Sequence, residues 1–103
     1  MTPEGLLKKK VSSYLDILEE KAHYSMFVPV GYGRRNTLDF TLCFCGQFAA
    51  IETKVPGKWL TPLQRQTARS IVQAGGKVFI VSGEEGLNAF KRWAERTLQN
   101  FTL

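Results

Sequence analysis

The spacing of apolar residues changes several times along the chain, and each change marks a new predicted element. Helical spacing predicts a first helix from Pro3 to about Lys21, with Thr2 as its N-cap. Alternating positions then predict a first strand, and two runs of apolar or β-favouring residues predict a second and a third strand, which form a hairpin that turns at Gly46-Gln47. The three predicted strands cover residues 23–30, 37–45 and 48–54.

A helix, a strand and a last helix follow the hairpin. The helix after the hairpin starts at Pro62, runs to about Ala74 and buries a stripe that includes Val72. The continuous apolar run at 77–81 fits a fully buried strand that is parallel to its neighbour. The motif Ser82-Gly83-Glu84-Glu85 predicts a capping box at the start of the last helix. This order predicts an α/β fold with a mixed central sheet flanked by helices.

Three charged side chains, Asp39, Glu52 and Lys54, interrupt the apolar hairpin. Their burial is costly unless they are paired or bound to a metal. The turn at Gly46-Gln47 places Asp39 opposite Lys54 and puts all three on one face. These residues alone leave two interpretations open. One is an ion pair between Lys54 and Asp39. The other is a site where two carboxylates hold Mg²⁺ or Mn²⁺ beside an amine that stabilises a phosphate oxygen or a hydroxide.

Short motifs surround these three charges in a definite order. They are Thr2-Pro3-Glu4-Gly5, Val28-Pro29-Val30-Gly31-Tyr32-Gly33-Arg34, Asp39-Phe40, Gly46-Gln47-Phe48, Ile51-Glu52-Thr53-Lys54, Pro56-Gly57-Lys58, Leu60-Thr61-Pro62-Leu63-Gln64 and Ala74-Gly75-Gly76. In this order the motifs resemble a stand-alone VRR-NUC domain of the PD-(D/E)-x-K, or restriction-endonuclease-like, superfamily, a kind often encoded by phages and bacteria. The resemblance covers nearly the whole chain. It departs from the family at Leu38, where a proline usually precedes the aspartate.

The resemblance implies a restriction-endonuclease-like αβββαβ core with an extra C-terminal helix, and a metal-dependent DNA endonuclease. Small stand-alone members resemble Holliday-junction resolvases, which implies branched DNA as substrate and a homodimer. Exposed Trp93, Trp59 or Tyr32 are the predicted subunit contacts. Two alternatives stay open: a flap or nicking nuclease with the same site, and a non-catalytic DNA-binding module that keeps the fold.

The resemblance also implies a role for each site residue. The implied metal ligands are Glu4, Asp39, Glu52 and the backbone carbonyl of Thr53. Lys54 is implied to stabilise the nucleophile or the transition state, and Gln64 to orient a water or a phosphate. Local physics offers simpler readings for Glu4, which complements the positive end of its helix, and for Gln64, which can bond to loop backbone.

Basic and aromatic side chains near the predicted site form a second group. They can contact DNA phosphates and bases, or simply be solvated. The predicted DNA-binding residues are Lys8, Tyr32, Arg34, Arg35, Lys58, Arg65 and Arg69.

Composition adds modest constraints. The 103 residues predict one domain, 1–103, and the formal net charge of +5 permits phosphate binding. No apolar run reaches membrane-spanning length and the N-terminus does not resemble a signal peptide, which predicts the cytoplasm of a bacterium or a phage-infected host. Cys43 and Cys45 have neither zinc-site nor redox-motif spacing, so they are predicted to be buried thiols in a reducing compartment.

Overall fold

The computed structural model describes residues 1–18, 20–27 and 37–101, which form three helices and four strands in the predicted order. The elements are α1 (Pro3–Ile17), β1 (Ala22–Met26), β2 (Phe40–Phe44), β3 (Gln47–Thr53), α2 (Pro62–Gln73), β4 (Lys77–Val81) and α3 (Glu84–Gln99). One sheet has the strand order β1-β2-β3-β4, antiparallel from β1 to β3 and parallel between β3 and β4. The predicted α/β class, with a mixed sheet flanked by helices, is confirmed.

Helix α1 begins as the sequence predicts and ends earlier. The hydroxyl of Thr2 accepts a hydrogen bond from the backbone N–H of Gly5 at 3.0 Å, which is the predicted N-cap. The helix ends at Ile17 because the Leu18 N–H bonds back to Leu15 in a turn that leads into β1. The end of the predicted first strand, residues 28–30, lies outside the described residues.

The hairpin turns at Cys45-Gly46, one residue earlier than predicted. Both residues have positive φ, 51° and 80°, as a type I′ hairpin turn requires. The glycine therefore takes the second turn position rather than the first, and the predicted pairing of Asp39 with Lys54 is wrong. Because the register error is two residues, the paired residues of the two strands keep their predicted faces.

One face of the sheet forms the hydrophobic core with α1 and α3. The sheet contributes buried apolar side chains that include the five predicted ones, Phe40, Leu42, Phe44, Ala49 and Ile51. Helix α1 adds Val11 and Leu15, and helix α3 adds Leu87, Phe90 and Ala94.

Helix α3 differs from its prediction in two ways. Its N-cap is Gly83, which has no side-chain cap bond, so Glu85 is at the second helical position and the predicted capping box does not form. Trp93 packs against Phe79 and Phe90, with ring centroids 5.3 Å and 5.9 Å away. Its predicted place outside the core is therefore wrong, whereas Trp59 is exposed as predicted.

The other face of the sheet is only partly covered. Helix α2 packs against β4 but buries no residue, and Val72 is 57% exposed rather than part of a buried stripe. Only Val81 of β4 is buried, because this strand lies at the edge of the sheet, so its predicted full burial is wrong. Cys43 is exposed on this face and Cys45 is partly buried, so the prediction of buried thiols is wrong for Cys43. The helices of the described ranges are all too short or too polar to span a lipid bilayer.

Candidate active site

Two carboxylates lie side by side where β2 begins and β3 ends. Asp39 is 3% exposed and Glu52 is 1% exposed. The backbone N–H of Asp39 donates to Oε1 of Glu52 at 3.0 Å. The ladder pairs Phe40 with Ile51, so its continuation by one residue places Asp39 opposite Glu52. The hairpin thus brings the two predicted acids together, although by a different register from the predicted one.

The side chain of Asp39 is held by the strand beside it. Its Oδ2 accepts hydrogen bonds from the Thr53 backbone N–H at 2.9 Å and from the Thr53 hydroxyl at 2.6 Å. Thr53 is completely buried. Hydrogen bonds to an ionised acceptor are stronger than neutral ones, so this pair fixes the orientation of the carboxylate.

The side chain of Glu52 is held from the opposite side by Gln64. Oε2 of Glu52 accepts a hydrogen bond from Nε2 of Gln64 at 2.8 Å. Oε1 of Gln64 accepts from the Thr61 backbone N–H at 2.9 Å, and the Thr61 hydroxyl accepts from the Gln64 N–H at 3.2 Å. This reciprocal capping box starts α2. Gln64 therefore makes the bond to loop backbone and also reaches the candidate site.

Lys54 lies next to this pair. Its Nζ is 3.8 Å from Oε2 of Glu52, and its side chain is 15% exposed. The ion-pair partner of Lys54 in the hairpin is therefore Glu52, in contrast to the predicted pairing with Asp39. A partly buried ammonium group thus lies beside one of the two buried carboxylates.

Glu4 is connected to this pair only indirectly. Its side chain is 48% exposed, and the Nζ atom of Lys8 lies 3.9 Å from Glu4 Oε1 and 3.8 Å from Asp39 Oδ1. Within residues 1–18, 20–27 and 37–101, no three His, Cys, Asp or Glu side chains converge as a metal-binding group. The structure brings Asp39 and Glu52 together, and Glu4 approaches them through Lys8.

The carboxylate oxygens of Asp39 and Glu52 are of the ligand type that a divalent cation such as Mg²⁺ prefers. Mg²⁺ prefers oxygen ligands and is usually held by one or two carboxylates, with water and substrate phosphate completing its shell. Asp39 and Glu52 supply two such carboxylates, each oriented by hydrogen bonds from neighbouring strands or from α2. The pair therefore fits a hard cation without needing a third acid at ligand distance.

The predicted DNA-binding residues divide into three groups. Lys8 is at the acidic site, 3.8 Å from Asp39. Lys58, Arg65 and Arg69 are exposed between the end of β3 and the middle of α2, where Nη1 of Arg65 also donates to the Leu60 carbonyl at 3.2 Å. The remaining three, Tyr32, Arg34 and Arg35, lie outside the described residues.

Sequence reasoning missed two contacts that shape the site. The hydrogen bond from the Thr53 hydroxyl to Asp39 was not predicted, and no local sequence motif predicts it. The ion pair of Lys8 with Glu4 was predictable from the sequence, because the two residues are four apart on one helix. The spacing Thr61-Pro62-Leu63-Gln64 is likewise a capping-box signature.

The fold is a four-stranded mixed sheet flanked by helices, with Asp39 and Glu52 at the open end of the central hairpin. A solved structure described as a VRR_NUC domain is similar over 99% of this chain and 100% of that chain, with a TM-score of 0.66 and 18% sequence identity. This likeness confirms the predicted VRR-NUC fold. No protein-family model matches the sequence, and a search of the curated proteins finds no match.

Proposed function

We propose that this protein is a Mg²⁺- or Mn²⁺-dependent DNA endonuclease that hydrolyses phosphodiester bonds. The observation that carries the proposal is the buried pair Asp39 and Glu52, with the amine of Lys54 3.8 Å from Glu52. Three oriented groups of this kind on the hairpin of a VRR_NUC fold are suited to phosphodiester hydrolysis. The single domain, 1–103, would act in the cytoplasm of a bacterium or a phage-infected host.

Each residue has a defined part in the proposed reaction. Asp39 and Glu52 hold the cation, with the Thr53 carbonyl and, after rearrangement, Glu4 as further ligands. The bound cation supplies Lewis-acid polarisation of the phosphate. Lys54 stabilises negative charge on the attacking hydroxide or on the pentavalent transition state, where a nearby cation acts most strongly.

Gln64 has two connected tasks in this proposal. It fixes the carboxylate of Glu52 through its 2.8 Å hydrogen bond, and it orients the attacking water or the scissile phosphate. Its amide offers two N–H donors, of which one is directed at Glu52. The second can serve a substrate oxygen.

The basic side chains supply the proposed DNA contacts. Lys58, Arg65 and Arg69 are exposed between the end of β3 and the middle of α2, and the chain carries a formal net charge of +5. Tyr32, Arg34, Arg35 and Lys8 complete the proposed set. Contacts from the basic side chains bind the phosphate backbone, and stacking of Tyr32 on a base tolerates any sequence, so the enzyme would select DNA by shape.

The proposed substrate is branched DNA such as a Holliday junction, cleaved by a homodimer. A two-fold axis would relate two identical sites, which suits two symmetric cuts. A flap or nicking nuclease would use the same residues, and a non-catalytic DNA-binding module would keep the fold without cleaving.

A panel of DNA substrates tests these alternatives. The purified chain is incubated with linear, flap and four-way DNA in Mg²⁺, in Mn²⁺ and in EDTA. We expect cleavage of four-way DNA only with the cation, and a loss of about 100-fold or more in Asp39→Asn and Lys54→Ala. Asp16→Asn and Lys77→Ala are matched controls, because they make similar changes at exposed positions.

The outcomes separate the possibilities. Full cleavage by Asp39→Asn or by Lys54→Ala would refute the assigned site. Binding of DNA without cleavage in either cation would favour the non-catalytic module. Preferential cleavage of flaps would keep the site and change the substrate.

A further inference from the structure

Lys8 lies between two carboxylates that come from different elements. Its Nζ is 3.9 Å from Glu4 Oε1 on α1 and 3.8 Å from Asp39 Oδ1 at the start of β2. The side chain of Lys8 is 29% exposed and that of Asp39 is 4% exposed. One ammonium group therefore contacts the oxygen of Asp39 that Thr53 does not bond.

This contact differs from a second ion pair that α1 makes among the described residues. Lys10 and Glu84 are 2.7 Å apart, but their side chains are 53% and 68% exposed, so water solvates both charges. The carboxylate of Asp39 has lost most of its water, and nearby positive charge offsets much of the cost of burying it. Lys8 is therefore an electrostatic component of the acidic site, although the sequence suggested only a DNA contact.

A divalent cation and the Lys8 ammonium compete for the same oxygens. Mg²⁺ binds its oxygen ligands at about 2.0–2.1 Å, so an ion shared by Glu4 and Asp39 would occupy the space between them. Two cations this close repel strongly where solvent screening is incomplete. The four-carbon stem of lysine is flexible, and 29% of this side chain already meets solvent, so it can withdraw.

We infer that Lys8 is a built-in competitor for the divalent cation. It offsets part of the negative charge of Glu4 and Asp39 in the cation-free protein, and it leaves when a cation binds to them. The inference rests on the proposed function, because it concerns the same site. It also explains how Glu4, which faces Asp39 across Lys8 in this structure, can join the ligand set. The released ammonium then becomes available to a DNA phosphate.

The test measures cation binding in the absence of DNA. Mn²⁺ is titrated into the full chain by calorimetry, with electron paramagnetic resonance of free Mn²⁺ as a second readout. Lys8→Met should bind Mn²⁺ about fivefold more tightly than wild type, the size expected when two partly exposed ion pairs no longer oppose binding. Lys10→Met is the matched control, because it removes the same charge and one ion pair from the same helix away from Asp39. Its affinity should equal that of wild type.

Thermal unfolding supplies an independent readout. In EDTA, Lys8→Met should unfold at a lower temperature than Lys10→Met, and saturating Mn²⁺ should remove that difference. If Lys8→Met does not fold, Lys8→Gln replaces it in both measurements. Suppose that wild type binds Mn²⁺ and cleaves DNA. If the folded variant then has an affinity for Mn²⁺ equal to or lower than that of wild type, the inference is overturned and the proposed function is not. Absence of Mn²⁺ binding and of cleavage in wild type would overturn the proposed function as well.

Discussion

Gln64 joins Glu52 to the first turn of α2: one end of its side-chain amide donates to Glu52 Oε2 at 2.8 Å, and the other accepts from the Thr61 N–H at 2.9 Å. The orientation of one buried carboxylate is therefore coupled to the cap of a helix. A change at Gln64 alters both the stability of α2 and the geometry of the acidic pair.

Replacing Gln64 by Ala should lower both catalytic rate and stability. The variant loses half of the capping box, which costs about 1 kcal/mol of unfolding free energy, and it removes the hydrogen bond from Gln64 to Glu52. We expect kcat on four-way DNA to fall about 10-fold or more, because loss of a hydrogen bond that orients a metal ligand typically lowers activity by that factor. Gln66→Ala, an exposed change on the same helix, is the control. Equal kcat and equal stability in the two variants would contradict this role.

Thr53→Val tests the bond that holds Asp39. The substitution keeps the β-branched shape and the backbone N–H, but it removes the hydroxyl donor 2.6 Å from Oδ2 of Asp39. Because that bond ends on a charged group, its loss should cost about 1–3 kcal/mol in urea-induced unfolding. Thr53→Ser keeps the hydroxyl and should lose less. A variant with valine that is as stable as wild type would show that the hydroxyl is dispensable.

The two tryptophans should respond differently to truncation. Trp93 packs against Phe44, Phe79 and Phe90 with ring centroids at 5.7, 5.3 and 5.9 Å, so Trp93→Ala should lose about 3 kcal/mol of unfolding free energy. Trp59 is 65% exposed, and Trp59→Ala should change the stability of the monomer by less than about 0.5 kcal/mol. Sedimentation at several concentrations then tests whether Trp59 supports the proposed homodimer. If it does, Trp59→Ala should sediment with a lower mass than wild type at the same concentration.

The ion pair between α1 and α3 gives a pH prediction. The Lys10 ammonium, 2.7 Å from Glu84, bonds that carboxylate and holds its pKa below the ordinary value. The folded pKa is the lower one, so the pair stabilises the fold above the unfolded pKa, and the effect disappears as pH falls through the folded pKa. Carbon-13 NMR titration of the Glu84 carboxyl should show its pKa rising in Lys10→Met. An unchanged titration curve would mean that another group sets this pKa.

The side-chain faces of the hairpin were predictable, but its register was not. Alternation places Asp39 and Glu52 on one face whichever even shift the strands adopt. The register depends on which residues accept positive φ, and Cys45 does so here together with Gly46. A rule that requires a glycine at the first turn position therefore gives the wrong pairing.

Helix caps and helix burial were also predictable only in part. The capping-box spacing is present at both Thr61 and Ser82, yet of these two only the box at Thr61 forms. The N-cap of α3 is Gly83, one residue after Ser82, so Glu85 is not in position to complete a box. The apolar spacing of α2 correctly predicts a helix, but burial depends on what covers it. Val72 is exposed because α2 lies over an edge strand, and local sequence does not report position in the sheet.

Helix α2 contributes no buried residue, whereas α1 and α3 are anchored by Val11, Leu15 and Phe90. Segments with few buried apolar contacts open most readily, so its amide hydrogens should exchange with solvent sooner than those of the other two helices. An opening of its first turn should withdraw the amide of Gln64 from Glu52, whereas the bonds between Thr53 and Asp39 do not involve α2. The two carboxylates therefore differ in what holds them: the bonds from Thr53 to Asp39 lie within the sheet, whereas one of the bonds to Glu52 comes from α2 and is lost when the first turn of that helix opens.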